Sequence, residues 1–596
     1  MDENQNDNQS EEEKNSANMY SYNDGVENNN QSQKEPDAIR RSLGSMNPYR
    51  LEENNNNDEY DPKGGDKNPN TADHPNYEEK SSEERIPNTK ESYSPFSVPP
   101  FIQQEPPHAY RPASREEKKL YFVFPFFILI LQLIFIIVFK FIYEYTDDGK
   151  LENDYEKENP EFSYKYHFFK DVHLMIFIGF GLLYTALKDH QWSSVGISLF
   201  IGVISFEMSF FWNYLWENSF KKKEKTEWLD KRLNFDNLIQ IDYITATVLI
   251  SLGAIIGKFS LIQYSIIAFF EVIFASLNYF LCLVELGAID NGGSLYIHTF
   301  GATFGLMISM ICFFSKKEHL KISSSPHLSS NYYSNIISFI GCLFLWLYFP
   351  SFNAAHIQNC DIKERPDNNN QDVNNGQPND QQVKNCENVL EIFRYRGIVN
   401  TYLSMIGSVI ATFVISPLIS KGKLKIEHIL NASYVGGIII GGCCTICSSA
   451  WGAILIGTIG GALSTLLLGT LKKILKEKKF EDTFGILCTF LIPGFLGGFL
   501  DSIFMGNFSN PNWGKNNLED YFREIGHRSP SEQAGIQIAA IFITIGIAAT
   551  SGLCAGFIVK TMNCDKNEIY FVDSEYYYED EKIDFPEWKY PRVNPP

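Results

Sequence analysis

Asp290 and His298 are the residues whose types and spacing first suggest chemistry. They lie in Ala288-Ile289-Asp290-Asn291-Gly292-Gly293-Ser294-Leu295-Tyr296-Ile297-His298-Thr299-Phe300-Gly301-Ala302-Thr303-Phe304-Gly305. The aspartate opens a glycine turn, and eight residues later the histidine sits inside an apolar stretch of small and aromatic residues. A charged group at bilayer depth costs about 2.5–3.5 kcal/mol or more, so an ionisable residue there marks a pathway or a partner. The structural alternative is a neutral histidine whose ring nitrogens are satisfied by neighbours; for one helix taken alone, the two readings weigh the same.

Other reactive residues carry less. Cys443, Cys444 and Cys447 stand in a Gly-rich apolar segment without a histidine or carboxylate beside them, which reads as close helix packing rather than metal binding. Cys360 and Cys386 flank an Asn-rich loop and can form a disulfide where that loop faces an oxidising compartment. Asn507-Phe508-Ser509 has the form of a glycosylation acceptor. The sequence offers no nucleophile–base spacing, phosphate loop or metal quartet, so no enzyme, metal or cofactor is expected. Net acidity and the lack of a basic patch argue against a nucleic-acid partner.

The elements that must hold Asp290 and His298 are membrane helices. The 596 residues carry a net charge of -20, concentrated at the ends, and 14% aromatics. From Leu120 onward, apolar runs of about twenty residues recur, each long enough to cross a bilayer. About twelve such spans are expected, the first over 120–143 and the last over 534–559. The fold class is therefore an all-α polytopic membrane protein. Residues 1–114 are rich in Asn, acids, Ser and Pro without periodicity, and are expected to be a disordered extension. Residues 115–560 form the transmembrane domain, and 561–596 a C-terminal tail. No cleavable signal peptide is expected at the N-terminus. Arg111, Arg115, Lys118 and Lys119 before the first span put the N-terminal extension in the cytoplasm, and an even number of spans returns the C-terminal tail there. The lysine-rich loop at 221–232 runs against that bias. Glu207, in the middle of a span, is expected to be satisfied by an interhelical hydrogen bond.

An internal echo adds to this. Asp482-Thr483-Phe484-Gly485 repeats the opening of the Asp290 stretch about 190 residues downstream, and Phe490 stands eight residues after its aspartate. The second copy lies five spans further along, an odd number, so the two copies point oppositely through the bilayer. Inverted repeats of this kind build a site at mid-membrane.

These residues resemble the Rhesus (Rh) glycoproteins, a branch of the ammonium transporter superfamily. The likeness rests on the stretch from Asp290 to Ala302, on Asp171-Val172-His173, on Gly253-Ala254-Ile255-Ile256-Gly257-Lys258, on Pro350-Ser351-Phe352-Asn353 and on Trp451-Gly452-Ala453, in family order. It spans about 168–502. The resemblance implies an inverted five-helix repeat around a narrow pore, assembled as a homotrimer in a lipid bilayer. It further implies ammonium or ammonia as the transported substrate, carbon dioxide as a second candidate, and the plasma membrane as location. By resemblance, Tyr243 and Phe352 are the gating rings, with tyrosine where the family has phenylalanine. His298 is the first of two facing pore histidines. At the second position this chain has Phe490, which can neither donate nor accept a conventional hydrogen bond. The resemblance implies that Asp290 organises the vestibule and assists deprotonation; the alternative, favoured for both Asp290 and Asp482, is that they cap helix starts. Two functions follow: an Rh-type channel working with one pore histidine, or a non-conducting Rh-like subunit whose pore Phe490 blocks, serving as an anchor or regulatory partner.

Overall fold

The structure, a computed structural model, describes residues 115–145, 160–220, 231–313, 329–357, 380–478, 480–507, 528–562 and 573. Cys360, the side chain of Cys386, and residues 508–509 of the glycosylation motif lie outside the described residues; Asn507 itself is exposed. Twelve apolar helices follow one another: α1 (Val123–Ile142), α2 (Tyr164–Ala186), α3 (Gln191–Ser219), α4 (Phe235–Ile255), α5 (Leu261–Glu285), α6 (Ser294–Phe313), α7 (Tyr332–Ala355), α8 (Leu390–Ile419), α9 (Ile426–Ile440), α10 (Ala450–Glu477), α11 (Leu487–Gly506) and α12 (Pro530–Thr561). Among the described residues, eleven are long and apolar enough to cross a membrane. The exception is α9: the apolar run continues to Cys447, but the helix stops at Ile440. There the Gly441-Gly442 pair lets the backbone of the α5–α6 connection approach: Gly292 N–H donates to Gly441 O (2.9 Å), and Gly442 N–H to Ser294 Oγ (2.8 Å). Two three-residue strands, β1 (Tyr143–Tyr145) and β2 (Lys231–Leu233), pair in parallel.

Local sequence sets the helix starts. Ser260 with Gln263, Asn331 with Ser334, and Ser529 with Glu532 form reciprocal caps at α5, α7 and α12. Small residues set how closely the spans pack. On α6, a Cβ at Gly301 would lie 2.4 Å from Thr247 O of α4. On α10, a Cβ at Gly457 would lie 1.7 Å from Ser404 O of α8. Backbones touch at both crossings, as small residues allow inside membranes.

Helix α1 stands at the periphery, with Val123, Phe126, Ile130 and Ile137 exposed. It meets α3 through Phe124 against Phe200 and through Gln132 Nε2, which donates to Glu207 Oε1 (2.9 Å). Glu207 is thus held by an interhelical bond. At the other end of the chain, the Asp573 carboxylate accepts from the N–H groups of Trp192 (2.9 Å) and Ser193 (2.7 Å), in the first turn of α3. Its own N–H donates to Asp189 O (2.9 Å).

Replacing Gly457 by leucine forces α8 and α10 apart. We expect a loss of about 1–3 kcal/mol of stability, read as a lower thermal midpoint in detergent, whereas Gly535→Ala, where a Cβ meets nothing, should leave the midpoint unchanged.

Candidate functional site

Two aspartates start the two central helices in the same way. Asp290 Oδ2 accepts from the N–H groups of Leu295 (2.7 Å) and Tyr296 (3.0 Å). Asp482 Oδ1 accepts from Gly485 (3.0 Å) and Ile486 (2.9 Å), and its Oδ2 from Leu487 (3.0 Å). Three residues after each aspartate, Gly293 (φ +69°) and Gly485 (φ +78°) take the left-handed conformation that a side chain would resist. Each helix then opens with a π-helical turn, Ser294–Thr299 in α6 and Leu487–Leu491 in α11. Such widened turns are uncommon and concentrate at functional positions. Burial pushes the Asp290 carboxyl up to about 7, against the pull of the backbone N–H groups that it accepts.

His298 and Phe490 occupy equivalent places in these two turns, and the fold brings them together with ring centroids 5.8 Å apart. His298 is 1% exposed and does not face lipid. Phe349 (5.8 Å) and Phe352 (5.9 Å) complete a cage of three phenyl rings around it. Neither imidazole nitrogen has a hydrogen-bond partner among the described residues.

The Tyr243 ring packs against Phe352 at 4.6 Å, and its hydroxyl donates to Phe352 O (2.5 Å), a carbonyl in the last turn of α7. Both residues are anchored by the segment Asp171-Val172-His173. Asp171 Oδ2 accepts from Ser351 Oγ (2.9 Å), next to Phe352. His173 Nδ1 meets Asp242 Oδ1 (3.0 Å), next to Tyr243. Beyond the pair lies a cluster of Tyr279, Tyr296 and His356. The His356 ring is 5.3 Å from that of Tyr243, and its Nε2 shares a hydrogen bond with the Tyr279 hydroxyl (3.1 Å). Burial lowers the His356 pKa to about 4, so this imidazole is neutral at pH 7. On the other side of His298, Phe490 packs on Tyr434 (5.7 Å) and Phe180 (6.2 Å), and Phe180 leads to Tyr184 (6.0 Å). A line of aromatic rings thus runs through the bundle, with the imidazoles of His356 and His298 among them.

The family model described as Ammonium Transporter Family matches residues 128–571. The chain belongs to the ammonium transporter family. It is 32% identical over 468 residues to the ammonium transporter Rh type B of Oryzias latipes, covering 76% of this chain and 92% of that protein. It is 31% identical to the ammonium transporter Rh type C of Rattus norvegicus, covering 75% and 86%. Its fold resembles the Rh50 protein of Nitrosomonas europaea, described as one of the Rhesus protein family of channels, with a TM-score of 0.52 and 26% identity, covering 70% of this chain and 92% of that one. Membership agrees with the expected all-helical fold of twelve apolar helices and with a multi-pass membrane protein.

Sequence reasoning missed most of the frame. Phe349 and His356 stand three residues before and four after Phe352, the spacing of one helix face, and that pattern was available to find them. Nothing in the sequence alone tied Asp171 to Ser351 or His173 to Asp242. Tyr243→Phe keeps the ring and removes the hydroxyl; we expect stability to fall by about 0.5–1.5 kcal/mol, the net worth of one hydrogen bond, measured by thermal unfolding.

Proposed function

We propose that this chain moves ammonium across a membrane by conducting neutral ammonia, with His298 as its one pore histidine. The observation that carries the reading is a buried imidazole with neither nitrogen bonded among the described residues, enclosed by phenyl rings and lying beneath the Tyr243–Phe352 pair. A cation loses its hydration in such a place at a cost of about 2.5–3.5 kcal/mol or more, whereas an uncharged molecule does not pay it. The substrate therefore gives its proton to water in the vestibule of Tyr279, Tyr296 and His356, crosses as ammonia, and takes a proton from water on the far side. Imidazole offers the dry segment a hydrogen-bonding stop, and the phenyl wall is compatible with other small neutral gases such as carbon dioxide. Tyr243 and Phe352 serve as the gate; Asp290 and Asp482 hold the two pore turns. Membership of the family supports a homotrimer with a path in each subunit. The family likeness supports placement in the plasma membrane, and the basic residues before the first span support cytoplasmic tails.

Vesicles carrying the protein should change internal pH faster than empty ones in an ammonium gradient. His298→Ala should slow that change about tenfold, the effect of losing one polar contact worth 1–3 kcal/mol. Equal rates in filled and empty vesicles would overturn the reading and leave Phe490 as a plug. Because His356 takes up a proton only as pH falls toward about 4, ammonium-driven flux should owe no pH dependence to this imidazole in the window between about pH 5 and 8. It should decline below that window as the vestibule gains a positive charge.

A further inference from the structure

We propose that Asp290 and Asp501 share a single proton, forming one buried acid pair that fixes the turn carrying His298. Asp501 lies on α11 and is 0% exposed; Asp290 is 2% exposed. The two carboxyl groups flank one spot above Gly442: a Cβ there would lie 3.3 Å from Asp290 Oδ1 and 3.4 Å from Asp501 Cγ. Each carboxyl has one oxygen in use. Asp290 Oδ2 holds the N–H groups of Leu295 and Tyr296. Asp501 Oδ2 accepts from Gln537 Nε2 of α12. Gln537 also brackets the residue before Asp290, accepting from Ile289 N–H (2.9 Å) and donating to Ile289 O (2.6 Å). The remaining oxygens, Asp290 Oδ1 and Asp501 Oδ1, are buried and without a partner among the described residues.

Two ionised carboxylates side by side in a dry interior repel each other and leave both free oxygens unsatisfied. The titratable groups facing them are Cys282 from α5, Tyr296 from α6, and Cys443 and Cys444 from the turn after α9. None is a cation, and among the described residues neither aspartate has an ion-pair partner. One proton resolves both problems. Carried on one Oδ1 and donated to the other, it supplies the missing hydrogen bond and leaves a single negative charge, spread toward the backbone N–H groups of α6. Asp501 is then a positioning residue: through Asp290 it sets the π-helical turn from which His298 projects.

The test compares Asp290→Asn and Asp501→Asn in the full chain in lipid at neutral pH, read by infrared difference spectroscopy. Either amide can donate where the shared proton stood and leaves the same net charge. One carbonyl band of a protonated carboxyl, present in the native protein, should therefore be lost in both variants. Its absence from the native protein, or its loss in only one variant, overturns the proposal. Ammonium-driven flux gives a second reading: Asp501→Asn should stay within about twofold of the native rate, and Asp501→Ala should fall about tenfold. Equal losses in the two would overturn the positioning role. If the native chain shows no flux at all, the infrared comparison still decides whether the proton is shared.

Discussion

Inside a bilayer there is no water to satisfy the backbone N–H groups at the start of a helix, so they must find an acceptor within the protein. The centre of this structure is arranged around that requirement. Asp290 and Asp482 each supply a carboxylate to a first turn, and each is followed by a glycine that reverses the chain tightly enough to bring those N–H groups within reach. The turns so held are wound wider than an α-helix, and it is from them that His298 and Phe490 project toward each other. Close backbone contacts at Gly301 and Gly494 then allow the helices carrying these turns to sit deep in the bundle.

The same arrangement separates polar from apolar surroundings along one line. On one side of the Tyr243–Phe352 pair the Tyr279 hydroxyl and the His356 imidazole share a hydrogen bond; on the other side are phenyl rings and a histidine that exchanges none among the described residues. A buried polar atom without a partner is costly, about 1–3 kcal/mol, and such sites persist where something else uses the group. Phenylalanine at position 490 sharpens the contrast, since it keeps the ring packing with Tyr434 and Phe180 while giving His298 nothing to bond.

Much of this was legible in the sequence because its causes are local. Apolar runs of bilayer length fix the number of helices, and the spacing from each aspartate to its eighth following residue survives in three dimensions as two side chains in contact. The shortened α9 was not legible, because a Gly-Gly pair inside an apolar run reads equally well as helix until the α5–α6 connection is seen to press against it. Nor was the frame around the Tyr243–Phe352 pair: Asp171 and Ser351 are far apart in sequence and are joined only by how α2 and α7 pack. Gln537 is a similar case. On its helix it is an ordinary polar residue, and its contact with Asp501 exists only because α11 and α12 lie side by side.

Asp573 gives the end of the chain a mechanical link to the bundle. Its carboxylate takes two N–H groups of α3 that have no helical acceptor of their own, and its backbone ties back to Asp189. A pull on Asp573 is therefore borne by the first turn of a spanning helix, so this one carboxylate is a handle on the bundle.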